Sequence, residues 1–253
     1  MHMKERMYHL NLKPEDGARF ALLPGDPGRV EQIAACLDGA RQVAVNREFC
    51  TWAGMVAGER VLVTSTGIGG PSAAIAMEEL ASIGVDTFIR VGTCGGMQLA
   101  VQGGDIVVPT AAIRMDGTSR EYLPVEFPAV ADFSLTRALA DAAEQSGLRG
   151  HLGVVQSKDS FYGQHEPERM PVGQRLQADW QAWIKGGALA SEMECAALFT
   201  VAACLGVRAG AVLTCVWNQE RQAAGLSNPE THDSGAAIRV AVEAVRRLTD
   251  GGR

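Results

Sequence analysis

An arginine inside a strongly apolar segment is the first residue of this sequence that could do chemistry. Arg90 directly follows the run Thr87-Phe88-Ile89, whose β-branched and aromatic side chains are typical of a buried strand. A guanidinium in such a position needs an anionic partner, either a structural carboxylate or a ligand phosphate. Thr93 and three glycines lie within the next six residues, and glycine allows a ligand to approach the backbone closely. The pattern therefore predicts either a buried ion pair or an anion site at the end of this strand.

A second arginine stands where a helix is expected to begin. Residues 24–29, PGDPGR, follow a short apolar strand and precede an amphipathic segment. Asp26 as N-cap and Pro27 at the first helical position are typical of a helix start. The free N–H groups of a helix N-terminus, with Gly25 and Arg29 beside them, suit an anion. A capped helix with a surface arginine is the alternative interpretation.

Two carboxylates bracket a methionine at the edge of the predicted core. Glu192, Met193 and Glu194 follow a short strand predicted at 188–190 and precede a thirteen-residue apolar segment, 195–207. Acidic residues at this place either stabilise the N-terminus of the following helix or take part in a site. The apolar segment is too short to span a bilayer and is predicted to be a buried helix.

A polar and aromatic segment without clear periodicity covers residues 157–166 and includes Phe161, Gln164 and His165. Such a segment is typical of a functional loop. A second polar loop is predicted to begin at Asn218, directly after an apolar strand.

Strands and helices alternate along the whole chain and would have to position these residues. Further strands are predicted at 20–23, 47–52, 61–65, 106–109 and 209–217, and further helices at 132–147 and 233–248. The alternation predicts an α/β fold with a mostly parallel sheet covered by helices on both faces. No linker or repeat is visible, so residues 1–253 are expected to form one domain.

The composition limits the function classes. With 253 residues, 47% hydrophobic and 21% charged, the chain is expected to be an ordinary globular protein, which excludes disordered and collagen-like classes. A net charge of −6 argues against nucleic acid as a partner. Six scattered cysteines without a C-x-x-C pair indicate free thiols in a reducing cytoplasm. The first ten residues resemble no secretory signal, and no membrane partner is expected.

Common catalytic motifs do not account for the chain. Residues 67–72, GIGGPS, are similar to a dinucleotide fingerprint, but Ser72 replaces its last glycine and Arg90 stands where an acidic residue would bind ribose. The sequence contains no phosphate-binding P-loop, no G-x-S-x-G elbow and no H-E-x-x-H pair. Its five histidines form no ligand cluster, so no metal centre is expected.

Six motifs occur in a fixed order over nearly the whole chain. They are 24–29 (PGDPGR), 46–49 (NREF), 65–72 (STGIGGPS), 90–93 (RVGT), 161–164 (FYGQ) and 191–194 (SEME). Together they resemble the nucleoside phosphorylase family, most closely its uridine phosphorylase branch. The resemblance implies a three-layer α/β/α fold with a central mixed, mostly parallel sheet. It also implies a pentosyltransferase of pyrimidine salvage that converts uridine and phosphate reversibly to uracil and ribose 1-phosphate, without an organic cofactor.

The resemblance implies roles for individual residues. Arg90, Thr93 and Glu194 match the catalytic residues. The phosphate-binding set comprises Gly25, Arg29, Arg47, Arg90 and Thr93, and the ribose-binding set comprises His9, Thr93, Glu192, Met193 and Glu194. In the family, the arginine matched by Arg47 and the histidine matched by His9 come from a neighbouring subunit, which implies a homo-oligomer, with a hexamer built as a trimer of dimers. A monovalent cation such as K⁺ is implied at the dimer interface by Glu48, Ile68 and Ser72.

The base end departs from the family pattern. Phe161 matches the aromatic wall of the base pocket and Gln164 the glutamine that reads uracil. The cation expected at a uracil oxygen is missing from its usual places, which leaves Arg169, Arg221 or His165, and Arg221 is the preferred candidate.

Two other functions stay open. A purine nucleoside phosphorylase or a nucleosidase would share most of these motifs, although residues 215–218, CVWN, lack the aspartate usual in the purine branch. A non-catalytic nucleoside-binding protein is the third hypothesis, because the departures at the base end could have removed turnover.

Overall fold

Both faces of the first strand, β1 (Phe20–Leu23), are buried. In the computed structural model, which describes residues 5–250, Phe20 and Leu22 belong to one apolar cluster, and Ala21 and Leu23 belong to another on the opposite face. A continuous apolar run is what a strand covered on both faces requires.

All ten strands of the described residues belong to one sheet. After β1 they are β2 (Asp38–Asn46), β3 (Phe49–Val56), β4 (Glu59–Thr64), β5 (Thr87–Gly96), β6 (Ile106–Met115), β7 (Ala129–Val130), β8 (Gly150–Lys158), β9 (Ala190–Glu192) and β10 (Arg208–Asn218). Their order is β10-β6-β8-β9-β5-β1-β4-β3-β2, and β7 pairs with β6.

Part of this sheet closes on itself. Strand β5 also pairs with β10, so β5, β10, β6, β8 and β9 form a ring, and β1, β4, β3 and β2 extend from it. Five pairings in the described chain are parallel and five antiparallel. The mixed sheet is confirmed, but it is more evenly mixed than the expected mostly parallel one. The short links between β2, β3 and β4 explain part of this, because a parallel crossover needs a longer connection.

Helices cover both faces. They are α1 (Gly28–Ala34), α2 (Gly70–Ser82), α3 (Thr118–Tyr122), α4 (Phe133–Gln145), α5 (Phe161–His165), α6 (Gly173–Lys185), α7 (Cys195–Leu205), α8 (Gln219–Ala223) and α9 (Gly235–Asp250). The apolar residues of α1, α4 and α9 pack on one face, and those of α2 and α7 pack on the other. The predicted three-layer α/β/α arrangement is confirmed. No helix within residues 5–250 is long and apolar enough to cross a membrane.

Several elements differ from the predictions. Strand β2 was not predicted, because most of its residues are exposed or half-buried and show no regular alternation. The segment 157–166, expected to be a loop, contains the end of β8 and the short helix α5, whose N–H at Gly163 donates to Ser160 Oγ at 3.0 Å. The loop expected after Asn218 is the short helix α8.

Candidate active site

A cavity of about 750 Å³ lies where β5, β9 and β10 end and α7 begins. Its wall brings together residues that are far apart in the chain. Nine of the residues assigned to the site from sequence line it: Gly25, Arg29, Arg90, Thr93, Phe161, Gln164, Glu192, Met193 and Glu194.

Arg90 forms two ion pairs at the floor of this cavity. Its Nε lies 3.2 Å from Glu192 Oε2, and its Nη2 lies 2.5 Å from Glu194 Oε2. All three side chains are nearly inaccessible to solvent. From the sequence, Arg90 could belong either to a structural ion pair or to an anion site. In the structure it forms buried ion pairs and also lines the cavity.

The two carboxylates have different surroundings. Glu192 accepts hydrogen bonds from the backbone N–H of Glu194 at 2.8 Å and of Cys195 at 3.0 Å, so it satisfies free donors at the start of α7. Glu194 instead accepts from the N–H of Gly69 at 2.6 Å. Gly69 has φ of +93°, a conformation that favours glycine. Helix capping therefore explains Glu192, whereas Glu194 faces the cavity between Gly69 and Arg90.

Burial and charge pairing act in opposite directions on these groups. Burial disfavours the charged guanidinium of Arg90, but Glu194 and Glu192 together raise its pKa above the ordinary value. Burial raises the pKa of Glu194, and the charge of Arg90 offsets part of that effect. Arg90 is therefore a permanent cation that keeps Glu194 available as a hydrogen-bond acceptor.

Arg29 brings a second guanidinium to the same wall. Its Nη1 donates to the carbonyl of Val91 at 3.4 Å. Burial and the positive charge of Arg90 lower the pKa of Arg29. Two guanidiniums that repel each other at a cavity are stabilised by an anion between them, and their forked donors match phosphate oxygens.

Two glycines at this wall have no room for a side chain, and at Gly92 the space is taken by Arg90. A Cβ atom at Gly92 would lie 2.8 Å from Cζ of Arg90, and one at Gly25 would lie 3.0 Å from the carbonyl oxygen of Gly67. The glycine pattern that marked this strand in the sequence is therefore required partly by the arginine beside it.

Part of the cavity wall is aromatic. Phe161 contacts His165 with ring centroids 4.4 Å apart, and the ring centroids of His165 and Trp217 are 6.4 Å apart. Burial and the nearby charge of Lys158 lower the pKa of His165, which favours its neutral form. Gln164 reaches the same wall.

Three predicted residues do not line the cavity of their own chain. Arg47 and His9 lie together on another surface, where Tyr8 contacts both the His9 ring, at 4.7 Å, and the Arg47 guanidinium, at 6.0 Å. Arg221, the preferred cation for the base, donates instead to the carbonyls of Leu99 at 2.6 Å and Ser227 at 2.7 Å.

The remaining cation candidates divide similarly. Arg169 pairs with Glu166 at 2.7 Å outside the cavity, whereas His165 lines it. The expected interface cation site has Ser72 Oγ 3.0 Å from Glu48 Oε1, and Ile68 is exposed at the cavity mouth. No group of three or more His, Cys, Asp or Glu residues suited to a metal occurs in the part of the chain that the structure describes.

Sequence reasoning missed Lys158, Ser191 and Trp217, which also line the cavity. Lys158 could have been noticed in the sequence, because it is the one lysine of the polar segment 157–166. Ser191 and Trp217 carry no such signal, because their positions depend on how β9 and β10 meet the other strands of the ring.

The fold and cavity define a three-layer α/β protein with two arginines and a buried carboxylate at one cavity. A sequence model of the Phosphorylase superfamily matches residues 19–250, and the chain belongs to that family. It is 54% identical over 241 residues to a uridine phosphorylase of Treponema pallidum, covering 95% of this chain and 93% of that protein. It is 44% identical over 252 residues to a uridine phosphorylase of Escherichia coli, covering 97% and 99%. A guanosine phosphorylase of Halorubrum lacusprofundi is 42% identical over 206 residues, covering 81% of each chain.

Proposed function

We propose that this chain is a uridine phosphorylase, a pentosyltransferase that transfers the ribosyl group of uridine to phosphate. The observation that carries the proposal is the Arg29 and Arg90 pair beside Glu194 in one cavity. The names of several relatives, the Treponema and Escherichia proteins among them, support uridine as the nucleoside.

Phosphate binds between Arg29 and Arg90, with the backbone at Gly25 and Thr93 beside it. Glu194 accepts hydrogen bonds from the ribose hydroxyls, and Met193 packs against the sugar. Phosphate attacks C1′ while the bond from C1′ to the base nitrogen breaks, and its electron pair leaves with the base. The ribose passes through an oxocarbenium-like state, as in other glycosyl transfers. The negative charges of phosphate and of Glu194 stabilise the positive charge on the ribose and so lower the barrier. Uracil is held against Phe161 by Gln164.

A homo-oligomer completes the site. Exposed Arg47 and Tyr8 lie together with the half-buried His9, and a partner subunit can present this group to the cavity as phosphate and ribose ligands. The proposed assembly is a hexamer of three dimers. Each subunit is a single domain of residues 1–253 that acts in the cytoplasm, in pyrimidine salvage. Glu48 and Ser72 supply adjacent oxygens for a K⁺ ion at the dimer interface, near Ile68.

A guanosine phosphorylase among the relatives makes guanosine the second candidate substrate. The test is release of free base from uridine, thymidine, guanosine, inosine and adenosine, each with and without phosphate. Uracil release from uridine only with phosphate is expected. Reaction of purine nucleosides in preference to uridine would favour the second candidate, and release without phosphate would indicate a nucleosidase.

A further inference from the structure

Lys158 is a buried cation that the steps above leave unused. It ends strand β8 and is 8% exposed. The nearby carboxylates of Glu192 and Glu194 are paired with Arg90, and within residues 5–250 Lys158 has no ion-pair partner of its own. Its Nζ donates to Ser191 Oγ at 2.7 Å. A buried ammonium without a carboxylate partner costs free energy, so its position needs a reason other than stability.

The partner of Lys158 belongs to a network that holds Gln164. Ser191 Oγ lies 2.7 Å from Gln164 Oε1 and 2.5 Å from Gln156 Oε1. A hydroxyl has one proton, so only one of these amides can accept it, and the other must turn its NH₂ group towards Ser191. Gln164 also lies 3.3 Å from Gln219. The network fixes Lys158 and Gln164 as neighbours on one wall.

That wall lies beside the aromatic residues of the cavity. Lys158 Nζ lies 6.0 Å from the centroid of the Phe161 ring. Lys158 and Gln164 also border a second cavity of about 530 Å³, so they separate the two spaces. An ammonium has three donors, and only the one to Ser191 is used among the described residues. The other two are free for a ligand that lies against Phe161.

The leaving base needs such a donor. When its bond to C1′ breaks, the electron pair spreads onto the ring oxygens, and a preorganised donor there stabilises the transition state. Arg221 and Arg169 are held by Leu99, Ser227 and Glu166 outside the cavity. We propose that Lys158 is the cation that stabilises the charge developing on a carbonyl oxygen of the departing base. This assignment rests on the proposed phosphorolysis.

The burial of Lys158 indicates that this residue serves function and not stability. Burial lowers the pKa of Lys158 to about 8, although Glu192 and Glu194 act in the opposite direction. Since the unfolded chain would hold this proton up to the ordinary value of 10.5, charged Lys158 destabilises the native state at neutral pH. Below pH 8 the side chain is nevertheless mainly an ammonium. A residue kept only for stability would have the opposite effect.

The test compares Lys158→Met with Lys185→Met, an exposed lysine in the last turn of α6. We expect Lys158→Met to lower kcat for uridine roughly 10²-fold, the size of loss seen when one oxyanion donor is removed. The loss should be smaller for 5-fluorouridine, whose base leaves more easily, and the melting temperature should not fall. Lys158→Arg should recover much of the rate for uridine, and Lys185→Met should change neither quantity.

Equal losses for both nucleosides, or a fall in melting temperature that accompanies the lost activity, would overturn the assignment of Lys158. The parent enzyme separates this outcome from a failure of the proposed function. A parent that releases no uracil from uridine contradicts the function itself. If the parent releases uracil from uridine, but Lys158→Met loses the same factor in kcat for uridine and for 5-fluorouridine, only the role of Lys158 is contradicted.

Discussion

At the scale of single residues, the site depends on charges that stabilise one another. Arg90 offsets the buried negative charge of Glu192 and Glu194, and the same guanidinium lines the cavity, where it is proposed to bind phosphate. The need for an anionic partner could be inferred from the sequence, because a buried arginine requires one. The identity of that partner could not, since Glu194 is 104 residues away and meets Arg90 only through the pairing of β5 with β9.

Replacing Arg90 should affect stability in a pH-dependent way. Arg90→Met leaves two buried carboxylates without a counter-charge, and breaking a buried pair in this way costs about 3–5 kcal/mol. Burial already raises the pKa of Glu194, and the loss of Arg90 should raise it further. A carboxyl whose pKa is higher in the folded state destabilises that state as the pH rises through this range. Urea unfolding should therefore show a larger loss of unfolding free energy for Arg90→Met, relative to the parent, at pH 7 than at pH 5.

Arg137→Met is the control, because Arg137 is exposed and its pair with Asp141 on α4 is 3.9 Å long. This substitution should change the free energy of unfolding little at either pH. A difference for Arg90→Met that is the same at pH 7 and pH 5 would contradict the account of the buried pair.

At the scale of elements, one helix start was predictable and the surface strands were not. The prediction of Asp26 as the N-cap of α1 was wrong by one residue, because the helix begins at Gly28 and Pro27 occupies the N-cap position. The helix predicted over 132–147 spans Phe133–Gln145, and Asp132 is its N-cap, accepting from the N–H of Leu135 at 2.8 Å. Such caps are local, so the sequence states them. Strand β2 depends on its pairing with β3, and the register of that pair shifts twice, so its own residues carry no clear pattern.

The hairpin between β2 and β3 holds Arg47 in a left-handed conformation, with φ of +55°. Glycine adopts this conformation without the cost of about 1 kcal/mol that other residues incur. Arg47→Gly should therefore raise stability slightly while lowering kcat/KM for phosphate by roughly 10²-fold, because it removes a proposed phosphate ligand. Thermal unfolding and steady-state kinetics measure both effects.

Ala57→Gly is a matched control, since Ala57 has φ of +51° in the next hairpin, between β3 and β4. It should give a similar gain in stability with unchanged kinetics. Full activity in Arg47→Gly would show that Arg47 takes no part in the reaction.

At the scale of the whole molecule, one chain presents a cavity on one surface and the group of Tyr8, His9 and Arg47 on another. If the Tyr8, His9 and Arg47 group of each subunit contacts the cavity of its partner, Arg90 and Arg47 of one complete site come from different chains. Isologous contacts of this kind are the usual basis of dimers. The sequence around Arg47 and Tyr8 carries no pattern that predicts a shared site. Only the family resemblance implied that a neighbouring subunit contributes to it.

Mixed oligomers test this exchange. Arg47→Ala and Arg90→Ala should each be nearly inactive. After the two are unfolded and refolded together in equal amounts, random pairing leaves about a quarter of the sites with both arginines intact. Activity should rise to that fraction of the parent value. Activity no higher than the mean of the two separate variants would contradict a shared site.

The most direct test of the central claim is the stoichiometry of the products. With uridine and excess phosphate, the enzyme should release uracil and form ribose 1-phosphate in equal amounts, and neither product should form without phosphate. Arg90→Met should lose both products together. Formation of free ribose in place of ribose 1-phosphate, or uracil release that does not depend on phosphate, would contradict the proposed phosphorolysis.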